Sequence, residues 1–201
     1  MTDRLTCPRC GPAFGLILRS DRLVDRRTLD GGLGCPNCRE VYPITAGAGD
    51  LRPPPRGPVP PATLEEPVFR DVEVVHALLG VVEGPGELAL LGEAARFAPA
   101  LAERVPDLEL AAVHPATFLW EEAPGISRMV AGSRLPFADR KFRGVLLQGE
   151  GAAEYLREAA RILAPQHRVV VLDAPRGTPA TLMAAGLTVN LDQDGVVVAG
   201  R

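Results

Sequence analysis

Arg168-Val169-Val170-Val171-Leu172 decides the fold class of this chain. An apolar run without polar alternation is typical of a strand covered on both faces, as strands in parallel sheets are. The segment before it, Ala152–Leu163, predicts a helix whose apolar face carries Ala152, Leu156 and Ala159. A helix that leads directly into a buried strand indicates an α/β architecture.

The same alternation extends in both directions from this pair. Further strands are predicted at Leu88–Leu91, Leu108–Val113, Met129–Ala131 and Gly144–Leu147, and further helices at Val68–Val82, Pro99–Arg104 and Thr178–Ala185. Gly84-Pro85-Gly86 is expected to end the first helix. Asp192-Gln193-Asp194-Gly195 separates Leu187–Leu191 from Val196–Ala199 as a hairpin turn. The pattern predicts a mostly parallel sheet with an antiparallel C-terminal hairpin.

All four cysteines lie in the first fifty residues, in the pairs Cys7-Pro8-Arg9-Cys10 and Cys35-Pro36-Asn37-Cys38. Two CxxC knuckles offer four thiolates to a tetrahedral Zn²⁺, and four cysteines leave no position for a catalytic water. Redox chemistry and disulfides are the alternatives. A redox CxxC normally opens a helix in a βαβ unit, and disulfides suit secreted chains. We therefore expect Cys7, Cys10, Cys35 and Cys38 to hold a structural zinc ion.

The chain divides by composition into three parts. Residues 1–52 are expected to form a zinc ribbon, with a hairpin at Gly15–Arg19 and Thr28–Leu33 and a strand at Val41–Thr45. Residues 53–67 contain seven prolines and are expected to be a semi-rigid linker. Residues 68–201 would be the α/β domain.

Charge and hydropathy exclude several functional classes. The net charge is −3 and 46% of the residues are apolar, so the chain has enough apolar residues for a core and is not a polycation that would bind nucleic acid by charge alone. No apolar run approaches the roughly 20 residues of a membrane span. The segment before Cys7 lacks the apolar core of a signal peptide, so a cytoplasmic protein is expected.

Several segments resemble class I S-adenosylmethionine (SAM)-dependent methyltransferases. The stretch from Ser133 to Val145 is similar to their "LPF-x-D-x-x-F-D-x-V" signature, and Glu158 to Val171 resembles "E-x-x-R-v-L-k-P-G-G-r-v-v-v". Gly92 to Glu103 resembles the "G-C-G-T-G-R-F-A-P-A-L-A-E" stretch after their first strand. The first 44 residues resemble the small zinc-ribbon proteins that activate tRNA and protein methyltransferases, and the ribbons fused ahead of some bacterial methyltransferases. The resemblance implies a Rossmann-like methyltransferase fold preceded by a small zinc-ribbon domain.

The chain departs from this family where the family binds SAM. Of the glycine-rich turn only Gly92 remains, and Ala94 stands where a second glycine belongs. His114 replaces the acid that binds the ribose, and Ser133 stands near the place of the acid at the adenine edge. The resemblance places a vestigial or atypical SAM cleft at Gly92, Ala94, His114 and Ser133. Each lost charged partner weakens binding by about 1.5–3 kcal/mol.

Three functional hypotheses follow. The preferred one is a pseudoenzyme, a methyltransferase-like scaffold that binds a protein partner and no longer uses SAM. The second is an active SAM-dependent methyltransferase with an atypical cofactor site that acts on RNA, protein or a small molecule. The third is a nucleic-acid-associated factor that contacts RNA through its ribbon.

Overall fold

The computed structural model describes residues 2–64, 71–149 and 151–201, which form thirteen strands and four α-helices. The ribbon strands are β1 (Thr6–Cys7), β2 (Gly11–Gly15), β3 (Ile17–Val24), β4 (Arg27–Gly34), β5 (Val41–Thr45) and β6 (Ala48–Leu51). The later strands are β7 (Gly86–Gly92), β8 (Leu108–Val113), β9 (Ile126–Ala131), β10 (Phe142–Gln148), β11 (Leu163–Leu172), β12 (Thr188–Gln193) and β13 (Val196–Gly200). The helices are α1 (Val72–Leu79), α2 (Ala98–Arg104), α3 (Ala152–Ile162) and α4 (Thr178–Ala184).

Eleven of these strands form one sheet in the order β12-β13-β11-β10-β7-β8-β9-β6-β5-β4-β3. Strands β7 to β11 pair with one another only in parallel, and β13 is antiparallel to both β11 and β12. The predicted parallel sheet with an antiparallel C-terminal hairpin is confirmed. Val169 to Leu172 of β11 are all fully buried, as the apolar run predicted.

The ribbon is joined to this sheet through β6, which pairs in parallel with β9 from Ala48 opposite Arg128 to Leu51 opposite Ala131. The start of the chain is attached as well. Leu5 forms a β-bridge with Phe137, and the Thr6 N–H donates to the Pro136 carbonyl at 2.9 Å. The division at residues 52 and 67 stays a prediction about folding units, since the strands on both sides of it share one sheet.

Several predicted boundaries differ from the structure. The first helix was predicted at Val68–Val82, but α1 starts after Asp71, whose carboxylate accepts from the N–H groups of Glu73 and Val74. It ends at Gly80, which takes a left-handed conformation, and not at Gly84-Pro85-Gly86. Residues 68–70 lie outside the described residues. The hairpin strands β3 and β4 are longer than predicted, and β11 begins five residues before Arg168.

The first part of the proline-rich segment lies against the ribbon. Arg52 forms an ion pair with Asp50 at 2.7 Å, and Arg56 forms one with Glu40 at 3.0 Å. The Arg56 guanidinium also lies 5.2 Å from the centre of the Tyr42 ring. These contacts attach residues 52–57 to the ribbon. None of the described helices is both long and apolar enough to cross a membrane.

Candidate functional site

The four cysteines converge on one point at the end of the ribbon. Their sulfur atoms all lie within 4.8 Å of one another, with Cys7 Sγ 3.7 Å from Cys38 Sγ and Cys35 Sγ 3.9 Å from Cys10 Sγ. A tetrahedral zinc ion with Zn–S bonds of about 2.3 Å requires sulfur–sulfur separations of about 3.8 Å. A disulfide would need about 2.05 Å. The cluster therefore has the spacing of a closed four-thiolate zinc site and not that of a disulfide.

Hydrogen bonds around Cys7 favour its ionised form. Burial alone raises the pKa of this thiol, but hydrogen bonds with the Tyr42 hydroxyl and with the N–H groups of Cys10 and Arg9 outweigh burial and lower the pKa to about 7. The Tyr42 hydroxyl lies 3.4 Å from Cys7 Sγ, and the Asn37 side-chain amide donates to Cys10 Sγ at 3.3 Å. Such donors orient thiolate ligands, so the surroundings fit a metal site.

The cysteine cluster shares its core with the α/β sheet. Cys7, Cys35 and Tyr42 belong to the same buried cluster as Leu91 of β7 and Leu147 of β10. Tyr42 is fully buried, which is unusual for a residue of a small ribbon. The cysteines thus support a core that reaches the central strands.

A crevice of about 310 Å³ opens at the carboxyl ends of β7, β8, β9 and β10. Strand β7 has β8 on one side and β10 on the other. The order in which successive strands are added to the sheet therefore reverses at β7. Ligands of open α/β sheets bind at such a switch point. The crevice lies where the resemblance places a cofactor, and its volume is at the small end for ligand pockets, which span about 300–1,000 Å³.

Glu93 lies across this crevice. A Cβ atom on Gly149, after β10, would be 2.7 Å from Glu93 Cγ, and Glu93 Oε1 is 3.6 Å from His114 Nε2, after β8. Its other oxygen, Oε2, accepts from Arg96 Nη2 at 2.6 Å. The Glu93 side chain therefore lies between the ends of β10 and β8, with its methylene groups beside Gly149 and its carboxylate held by Arg96 and facing His114.

One ring nitrogen of His114 is used in a hydrogen bond within the protein, and the other faces Glu93. Nδ1 accepts from the N–H of Ala116 at 3.1 Å, which assigns the proton of the neutral ring to Nε2, facing Glu93. Burial lowers the pKa of His114; Glu93 acts in the opposite direction, and Arg96 lowers the pKa further. The neutral ring thus has no acceptor left for the hydroxyl groups of a ribose.

The turn after β7 is tight and closed. Gly92 has φ +67°, and a Cβ on it would lie 2.8 Å from the carbonyl oxygen of Gln148. The chain continues into a 3-10 helix at Glu93–Phe97, in which Ala94 is fully buried against the opposite side of the sheet. Only glycine fits at position 92, because the backbones of β7 and β10 approach so closely.

The four residues predicted for the cleft are not all brought together. Gly92 and His114 line the crevice, whereas Ala94 is buried beneath it and Ser133 is exposed outside its lining. Sequence reasoning missed Glu93, although its position directly after Gly92 at a strand end was a usable signal.

Two further lining residues were also missed. Gln148 is 1% exposed and donates to Asp173 Oδ2 at 2.7 Å, and burial raises the pKa of Tyr155 to about 12. These groups and Glu154 make the crevice wall polar, but the described residues directly after β8 include no carboxylate, because His114 and Pro115 stand there. The residues fit zinc at the cysteines, and they do not fit the usual ribose contacts of SAM.

Comparisons with known proteins concern the fold. Neither a protein-family profile nor a curated protein matches the sequence. Among solved structures, a chain of the complex between the Haloferax volcanii Trm112 methyltransferase activator and a methyltransferase is 17% identical, with a TM-score of 0.47 over 60% of this chain and 69% of that one.

Two further structures are similar to the same extent. The antibiotic-resistance methyltransferase Kmr is 17% identical, with a TM-score of 0.47 over 66% of this chain and 93% of that one. A SAM-dependent methyltransferase from Mesorhizobium loti is 13% identical, with a TM-score of 0.47 over 64% and 96%. Strand order and the antiparallel terminal hairpin give this chain a Rossmann-like methyltransferase fold, joined to a four-cysteine cluster compatible with a zinc ribbon.

Proposed function

We propose that this chain is a non-catalytic, methyltransferase-like scaffold with a structural zinc ribbon. The observation that carries the proposal is the Glu93 side chain, which lies across the switch-point crevice between Gly149 and His114. A cofactor at this place would have to displace a carboxylate that is fixed by Arg96. It would also meet a histidine whose acceptor is already used.

A protein partner is supported by the outer face of the ribbon. Ile17, Gly34 and Val41 lie opposite one another across β3, β4 and β5, and the two apolar side chains are 64% and 50% exposed. Partners in a ladder point to the same face of a sheet, so these residues form an apolar strip with a glycine between them. Exposed apolar strips on an otherwise polar surface are typical of protein contacts.

Calorimetric titration of the zinc-loaded protein with SAM and S-adenosylhomocysteine tests the central claim. We expect no saturable binding up to about 1 mM. The Glu93→Ala variant, which clears the crevice, is the matched comparison. Micromolar binding to the unaltered chain would refute the proposal. Binding that appears only in the variant would identify Glu93 as the obstruction.

The second candidate is an active methyltransferase in which Glu93 replaces the missing ribose acid. The specific observation in its favour is that a carboxylate does face the crevice, and it can accept more hydrogen bonds than the two contacts described. Under this alternative Glu93→Gln weakens SAM binding. Under the scaffold proposal no binding is present to be weakened, so the same titration separates the two functions.

A further inference from the structure

Four arginines line a second cavity, of about 500 Å³, away from the crevice. They are Arg140 before β10, Arg157 and Arg161 on α3, and Arg201 after β13. Helix α3 starts after the carboxyl end of β10 and leads to the amino end of β11. Its C-terminal end therefore lies at the amino ends of the parallel strands, whereas the crevice lies at their carboxyl ends. The cavity is therefore separate from the crevice proposed as vestigial.

Two of these arginines have structural roles. Arg161 forms ion pairs with Asp139 and Glu158, each at 2.7 Å, and donates to the carbonyls of Leu135 and Phe137. Arg201 donates to the Ala160 carbonyl at 2.9 Å, near the C-terminal end of α3. Cations at a helix C-terminus are favourable, so these two positions are explained by the fold.

Arg140 and Arg157 have no such role. Both are exposed, and neither side chain forms a hydrogen bond or ion pair with any residue in the described parts of the chain. Arg157 lies one helical turn before Arg161, and like charges at this spacing destabilise a helix. Arg140 is further constrained by a left-handed backbone and by its N–H, which donates to the Arg161 carbonyl at 3.0 Å.

The cavity therefore carries an excess of positive charge in a chain whose net charge is −3. Among the described residues that line it, Asp139 alone is acidic, and it is already paired with Arg161. One guanidinium group can donate two parallel hydrogen bonds to two oxygens of a phosphate. Several guanidinium groups together can therefore bind a group that has more than one phosphate. Two unpaired arginines beside two fixed ones provide such an arrangement.

We propose that this arginine cavity binds a compact oligophosphate group, either free or as the phosphate tail of a nucleotide. A long nucleic-acid strand fits less well, because the binding of extended polyanions requires a continuous basic surface and the chain as a whole is acidic. The proposal is independent of the scaffold function, since no residue of the crevice takes part.

Titration of the zinc-loaded protein with inorganic triphosphate tests the site. The variants Arg140→Gln and Arg157→Gln are each expected to raise the dissociation constant by about tenfold, the loss of one charge-assisted contact. Arg176→Gln is the matched control: this arginine is also exposed and forms no side-chain hydrogen bond or ion pair with the described residues, but it lies before α4 and outside the cavity. Its effect should stay within about twofold.

Three outcomes of the triphosphate titration would overturn the proposal: no saturable binding, an equal loss in all three variants, or unchanged binding in Arg140→Gln and Arg157→Gln. Nucleoside triphosphate and a single-stranded RNA oligonucleotide form the remaining arms. Equal or tighter binding of the nucleotide identifies the source of the phosphates. Tighter binding of the RNA than of triphosphate, with a steep salt dependence, refutes a compact ligand. Glu93→Ala should leave triphosphate binding unchanged, so failure here and failure of the scaffold proposal are separate results.

Discussion

Ala48 of β6 lies opposite Arg128 of β9, and the Arg128 guanidinium returns to the carbonyl of Ala46 just before this pair. Arg128 is 4% exposed and also binds Glu122 and the carbonyls of Thr117 and Trp120. The ribbon is thus attached to the α/β sheet by a strand ladder and by one buried side chain at the same place.

Replacing Arg128 by methionine should therefore loosen this joint. The change leaves Glu122 with Arg27 as its remaining ion-pair partner and takes one donor from each of three carbonyls, of which that of Thr117 keeps the Trp120 N–H. A buried carbonyl left without a donor costs about 1–3 kcal/mol, so we expect a loss of at least that size. Urea unfolding measures the loss. Arg26→Gln is the control. Arg26 lies in the turn between β3 and β4, is exposed and has no partner among the described residues, so its free energy of unfolding should change by no more than about 0.5 kcal/mol. Equal losses of unfolding free energy in the two variants would show that Arg128 does not hold the ribbon to the α/β sheet.

Removal of the metal should affect both parts of the chain. We expect about one zinc per chain, as for a single four-thiolate site. Because Cys7 and Cys35 pack in the same core as Leu91 and Leu147, Cys35→Ser should lose zinc and also reduce hydrogen-exchange protection in β7 and β10. Asn37→Ala, which removes only one donor to Cys10, should keep its zinc. Protection that is lost in the ribbon alone would mean that the two cores are independent.

Gly92→Ala separates backbone strain from steric clash. An alanine at this position would have to adopt the positive φ of Gly92, and its Cβ would lie 2.8 Å from the Gln148 carbonyl oxygen. Gly177→Ala has the same strain, at φ +84°, but no atom within 4 Å of the new Cβ. Strain alone costs about 1–3 kcal/mol. Chemical denaturation should therefore show a clearly larger loss for Gly92→Ala, and similar losses would mean that β7 and β10 can separate without cost.

Acid should weaken the fold through His114. Burial holds the pKa of the folded-state histidine below its ordinary value of 6.5, so the unfolded chain binds the proton more readily. The stability that His114 contributes is present above pH 6.5 and is lost as the pH falls from there toward the lower folded pKa. Unfolding measured between pH 8 and about pH 5 should show this slope. It should be smaller in His114→Asn, and an identical slope in the variant would show that other groups cause it.

Much of this fold could be predicted because its signals are local. The spacing of Cys7, Cys10, Cys35 and Cys38 indicates a common ligand, and the sulfurs do meet. The apolar run ending at Leu172 indicates a buried strand, and the strand is buried. Element ends were less accurate, because α1 is limited by a cap at Asp71 and a left-handed Gly80 inside an apolar pattern that continues beyond them.

The joint and the crevice depend on partners distant in sequence. Ala48-Gly49-Asp50-Leu51 has little intrinsic strand preference, and β6 is a strand because β9 and β5 pair with it. The sequence shows that Glu93 follows Gly92 at a strand end but not where its side chain lies. Only the positions of Gly149 and His114 show that its side chain lies across the crevice.

The bridge between Leu5 and Phe137 has a consequence for how the protein is made. Leu5 finds its lasting neighbour only after more than a hundred further residues have been synthesised, and β6 likewise pairs with β9 only after the residues between them have been made. The two knuckles, by contrast, are complete once Cys38 emerges. Zinc binding can therefore precede completion of the sheet. The ribbon can then be ordered early, with β6 unpaired on one side until β9 has been synthesised.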